Sequence, residues 1–162
     1  VRAAARFFGH DYEVGWYSDF HDPLTPADPD LELEIDDVAA RALGQWFHYG
    51  FTVLEELRSR VGPEAESSEV QLWPEHFDPA TELGNHDSGQ RASYGTSPGD
   101  SDHPDPYVYV APWGDVDRSD PFWNDPSFGG ASLSYADLQA SEEPMERAVD
   151  FLVQGYRIIV SN

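Results

Sequence analysis

PYVYVAPW, residues 106–113, is the stretch on which the fold turns. Tyr and Val alternate in it, the period of a strand whose two sides meet different surroundings. Tyr107 and Tyr109 then face one side, and Val108 and Val110 the other. Neighbouring runs share this texture. VQLW (70–73), ATEL (80–83) and RASYGT (91–96) are short, β-branched or aromatic, and separated by Gly, Asn, Asp and Pro. They read as antiparallel strands joined by loops; ASLSYADL (131–138) reads as a fifth strand or a helix start, with strand preferred.

Helical periodicity flanks this region. Ala39, Leu43, Trp46, Phe47, Gly50, Leu54 and Leu57 recur at three- and four-residue steps, which predicts a helix from Asp36 to about Arg60. Asp36 or Asp37 caps its start and Gly62-Pro63 ends it. Gly50 on the buried face lets another element come close. A second long helix is predicted after Ser141 as N-cap, with Met145, Val149, Leu152, Tyr156 and Ile159 in one apolar row. Residues 2–9 read as a short helix. Residues 10–35, with prolines at 23, 26 and 29, read as an irregular packed loop. The expected fold class is α+β: two long helices packed on a small antiparallel sheet of four or five short strands, in one domain over 1–162. The chain begins at Val1, already inside a helical pattern, which reads as a GTG start or as a fragment lacking N-terminal residues.

Composition narrows function. The chain has 162 residues, of which 31 are Asp or Glu and nine are arginines, with no lysine and a net charge of −22. Such a surface repels phosphate backbones and anionic lipid, so neither nucleic acid nor membrane is an expected partner. Small molecules, cations and basic partners remain. The acidity suits a salt-rich cytoplasm, where screening relieves self-repulsion, or follows from a GC-rich genome that replaces Lys by Arg. Without cysteine there is no thiol catalysis, disulfide or zinc–thiolate site. No signal peptide opens the sequence, and cytoplasmic is the expected location. No Walker-type glycine loop is present, no lysine exists to serve one, and no G-x-S-x-G marks a nucleophile elbow.

Chemistry concentrates in WPEHFD, residues 73–78. If 75–78 is extended, His76 and Asp78 point to one side, as a metal-ligand pair or an imidazole with its orienting carboxylate. A divalent cation there would need a third ligand such as His86, His103 or Asp100. Trp73 and Phe77 read as core anchors beside this pair. Five of the six histidines have Asp one or two residues downstream, which favours protonated imidazole. DSDHPD (100–105) and DVDRSD (115–120) repeat D-x-D-x-x-D, the kind of loop that supplies oxygens to calcium, but neither completes an EF-hand. Aromatics and carboxylates mix as they do in sugar sites, and Trp73, Glu75, Tyr94, Asp100 and Trp113 are the candidate ligand-binding residues. The alternative is that the aromatics are cross-strand pairs in the sheet's core.

QLWPEHFD (71–78), SPGD (97–100) and PYxYVxPW (106–113) together resemble a group of uncharacterised proteins from high-GC actinobacteria, over roughly residues 70–140. The resemblance implies no particular activity and favours the GC-rich account of the acidity. The functional expectation is a binding domain for a small molecule or partner. The alternatives are a metal-dependent hydrolase-like enzyme using His76 and Asp78, and a carbohydrate-binding domain.

Overall fold

Strand alternation and helical periodicity meet in one α+β arrangement. The computed structural model describes residues 6, 9, 30, 32, 34–74 and 76–161. Five strands form a single antiparallel sheet: β1 (Gln71–Trp73), β2 (Asp78–Asn85), β3 (Gln90–Ser97), β4 (Tyr107–Pro112) and β5 (Ala131–Ser134). They lie in chain order, each paired with the next. A meander of this kind needs only local connections, which the Gly, Asp and Pro-rich segments supply.

Register assigns the faces. Thr81, Tyr94, Val110 and Ala131 stand opposite one another across β2 to β5. Their side of the sheet also carries Leu83, Ala92, Val108 and Leu133, and these apolar residues are buried in the core. The adjacent row, Ala80, Gly95, Tyr109 and Ser132, faces the other way because side chains alternate along a strand. An antiparallel sheet can leave one face without a core layer, and polar and small residues mark that face here.

Helical side chains share the core cluster. Helix α1 (Asp37–Val61) buries Val53, Leu54 and Leu57 completely. After a short 3-10 turn (Pro63–Ala65), the sheet and the five-residue α2 (Tyr135–Gln139) lead to α3 (Pro144–Ser161), whose Val149 and Leu152 are also fully buried. Each such side chain contributes about 1.5–3 kcal/mol through burial. Phe122 stacks obliquely on Phe151 with centroids 5.2 Å apart, bringing the loop before β5 into the same core. Tyr49 Oη donates to the Pro144 carbonyl at 3.0 Å, and Arg60 reaches both Glu56 and Glu146, linking α1 to α3. Among the described residues, no helix is long and apolar enough to cross a membrane.

By chain contacts, residues 1–40 and 41–162 form two compact units. In the first, Gly9 N–H donates to the Arg6 carbonyl, and Asp36 caps α1 by accepting from the Val38 and Ala39 amides at 2.7 and 3.1 Å. Those two bonds hold the Asp36 carboxyl below its ordinary pKa. The expected helix over 2–9 and packed loop over 10–35 fall, but for single positions, outside the described residues. The second unit holds the sheet and its core.

Three expectations need correction. Residues 74, 76 and 77 form a turn between β1 and β2, with Phe77 in the left-handed region at φ 53°, so the extended stretch expected over 75–78 is interrupted at 76 and 77. Residues 131–138 are not one strand: Ser134 ends β5 and caps α2, its Oγ accepting from the Asp137 amide at 3.1 Å. Ser141 does not cap α3. Its Oγ accepts from the Glu143 amide, but the first helical bond runs from Arg147 N–H to the Glu143 carbonyl, so α3 starts at Pro144. Proline suits that first position because its missing N–H has no helical partner to lose.

Gly50 carries the close approach expected of it. A Cβ there would overlap Thr96 Oγ1 on β3 and sit 3.4 Å from Pro79 Cγ. Gly44, on the same helix, has open space around the same position. Gly50→Ala should therefore lower unfolding free energy by about 1–3 kcal/mol in urea titrations. Gly44→Ala should raise it by about 0.5–1 kcal/mol through helix propensity.

Candidate functional site

Small residues line the middle of the outer sheet face and large ones its margins. Ala80, Ser93, Gly95 and Ala111 lie low, while Tyr107 and Tyr109 rise from β4. The result is a cleft of about 550 Å³, closed at its sides by Trp73, His76, Asp100 and Phe128. That volume lies within the usual range for small-molecule sites.

Asp78 is the first residue of β2 and is 1% exposed. Its Oδ2 accepts a hydrogen bond from Tyr109 Oη at 2.6 Å. Its Oδ1 is buried and has no partner. Burial raises the Asp78 pKa above the ordinary carboxylate value, and the Tyr109 hydrogen bond and the nearby His76 only partly oppose this. Tyr109 is in turn held well above the usual phenol value, first by burial and then by the Asp78 charge.

The bond depends on an empty place. Tyr109 on β4 pairs with Gly95 on β3, which pairs with Ala80 on β2. A Cβ at Gly95 would lie 2.5 Å from Cζ and Oη of Tyr109. The ring therefore lies across β3 where a side chain would stand, and its hydroxyl reaches β2.

Asp100 is handled differently. Its Oδ1 accepts from the Asp102 and His103 amides, both at 2.8 Å, and its Oδ2 accepts from Tyr107 Oη at 2.7 Å. Burial opposes its charge, but these bonds and His103 outweigh it and hold the pKa below the ordinary value. Behind it, His103 Nε2 lies 2.8 Å from Asp125 Oδ2, and the imidazole stacks on Tyr107 with centroids 4.5 Å apart. Asp125 is kept below its ordinary pKa in the same way: hydrogen bonds from Ser127 and Ser132 and the His103 charge overcome burial. Three of the six loop carboxylates read as calcium donors are used within their own turns. Asp100 holds two amides, Asp117 accepts from the Ser119 amide and hydroxyl, and Asp120 accepts from the Phe122 amide.

The cleft brings together Trp73, His76, Asp78 and Asp100 from the sequence candidates. Trp73 is half-buried on the cleft wall, and Phe77 is 49% exposed with its ring edge-on to Phe47, so neither is the core anchor expected. Tyr94 is not in the cleft. It sits one residue from Gly95, hence on the opposite face, fully buried in the core. Trp113 stands outside the lining, donating from Nε1 to Ser93 Oγ at 2.9 Å and covered by Arg91 at 5.4 Å. Glu75 lies outside the described residues. His86 pairs with Asp87 and Trp113, not with His76. Among the described residues, no group of three His, Asp or Glu side chains is placed to hold a metal ion. The sequence reading missed Asp125, Ser127 and Phe128, which reach the site from a loop with no periodic signal. It left Tyr107 and Tyr109 out of the ligand set, although the alternation of 107–110 separates them from the core.

The folded protein holds the Asp78 proton more tightly than the unfolded chain does. Ionising Asp78 therefore removes stability as pH rises from the ordinary carboxylate value through its raised one. Asp78→Asn should melt above the wild type near pH 7, and the gap should close as pH falls toward about 4. A variant that melts lower at neutral pH would contradict this. Gly95→Ala should cost about 1–3 kcal/mol, and most of that cost should vanish when combined with Tyr109→Ser in a double-mutant cycle.

No protein-family model matches the chain, and no curated protein or solved structure does either.

Proposed function

We propose that the protein binds a small organic molecule in the cleft on the outer face of its sheet. The observation that carries this reading is Asp78, a nearly inaccessible carboxyl group in the cleft wall with one oxygen held by Tyr109 and the other unpaired. A buried acceptor without a donor costs about 1–3 kcal/mol. Proteins retain such groups where a ligand completes them. The reading takes both long helices as the backing of the sheet, with α1 and α3 supporting the core face while the cleft face stays free for a ligand.

A proton-transfer enzyme is the second reading, favoured by one contrast. Asp78 is pushed above and Asp100 below the ordinary carboxylate value within one cleft, a pattern that suits a general acid beside a charged carboxylate. The metal-dependent alternative has only the His76 and Asp78 pair in its favour. A carbohydrate ligand has the half-buried Trp73 beside Asp78 and Asp100.

Ala111 lies on the cleft face of β4 and is half-buried. Ala111→Trp should fill the cleft and leave the core untouched. In a fragment screen read by ligand-observed NMR, hits on the wild type should be lost on this variant while its melting temperature stays within a few degrees. Hits that bind both proteins equally would place binding elsewhere and remove the proposal.

A further inference from the structure

Building on the cleft as a small-molecule site, we infer that its ligand is an organic cation, an ammonium or guanidinium group on an apolar body, with an N–H directed at Asp78 Oδ1. Four carboxylates line the cleft, Asp78, Glu82, Asp100 and Asp102, and no Arg lines it among the described residues. Two of the four are already answered. Glu82 pairs with Arg91 at 3.0 Å, and Asp100 is bound by Tyr107, two amides and His103. Asp102 is exposed to solvent. Asp78 alone is buried, and among the described residues no cationic group lies within ion-pair distance of it.

The chemistry of that group selects the ligand. A carboxylate accepts and cannot donate. To the ionised form of Asp78, a neutral hydroxyl would give the hydrogen bond but leave the buried charge uncompensated. A cationic N–H does both. An anionic ligand would face four carboxylates and the chain's net charge of −22. A bare metal ion demands more oxygen ligands than gather here.

The walls fit the rest of such a molecule. Tyr107, Tyr109 and Phe128 form a run of rings with successive centroids 6.0 and 6.1 Å apart, and Trp73 stands on the same lining. Aromatic faces attract ammonium and guanidinium groups, most strongly where water is excluded. The same rings provide apolar surface for the body of the ligand.

Three probes with one aromatic body separate the possibilities: phenethylammonium chloride, phenethyl alcohol and sodium hydrocinnamate. Each is titrated at constant ionic strength against wild type, Asp78→Asn and Ala111→Trp, with magnesium and calcium chloride as further arms. The ammonium should bind about tenfold more tightly than the alcohol, and the carboxylate should show no saturable binding. Asp78→Asn should bring the ammonium to the level of the alcohol, and Ala111→Trp should abolish both. Trp73→Leu, on the half-exposed wall, should weaken the ammonium about fivefold and serves if Asp78→Asn does not fold. If the alcohol or the carboxylate binds as tightly as the ammonium and Ala111→Trp abolishes it, cation selection is overturned while the cleft stands. Unchanged ammonium binding in Asp78→Asn, or saturable binding of magnesium or calcium lost in that variant, likewise overturns it. If no probe responds to Ala111→Trp, the cleft reading falls with it.

Discussion

Every residue of β3 and β4 must choose between two faces, and the rest of the structure follows from how that choice is made. Even positions of β3 and β4 send Tyr94, Val108 and Val110 into the core. Odd positions send Ser93, Ser97, Tyr107 and Tyr109 into the cleft. A slip of one residue would exchange the two sets and bury the polar one. The register is thus enforced twice, by apolar burial on one side and by the Tyr109–Asp78 hydrogen bond on the other. Thr96 and Gly95 show how tightly β3 is held: Gly50 of α1 meets it from the core side and the Tyr109 ring crosses it on the cleft side.

The two central carboxyl groups illustrate how one fold gives the same residue type opposite properties. Asp100 sits in an exposed loop whose amides turn toward it, so its charge is welcomed. Asp78 begins a strand, where neighbouring amides are engaged in the ladder, and the Tyr109 phenol and the nearby His76 do not offset its burial. Backbone geometry, rather than exposure alone, makes one an anchored anion and the other a reluctant one.

Much of the frame was legible in the sequence. The periodicity that ends at Gly62-Pro63 marks α1 because a helix buries every third or fourth residue whatever it packs against. Strand positions were legible from short alternating runs between turn residues. The errors arise where local signals compete. Ser141 looks like a cap, yet the chain bends once more before Pro144 begins the helix. The S-x-x-D at 134–137 was a capping signal hidden inside a short run that otherwise reads as a strand. For the cleft, the sequence shows that Tyr94 and Tyr109 point somewhere, but not which face the helices cover, and that decides which is core. His76 and Asp78 come to one cleft by a turn rather than by strand alternation, and the loop that brings Asp125 and Phe128 carries no pattern at all.

Gly95 and Tyr109 form one unit. A side chain at 95 and an aromatic ring at 109 claim the same space, so a substitution at either is felt through the other. A chain without the ring has room for a side chain on β3, but it has lost the donor that reaches Asp78. The glycine is thus the negative image of the phenol opposite it: what it leaves out is what lets one strand reach past its neighbour.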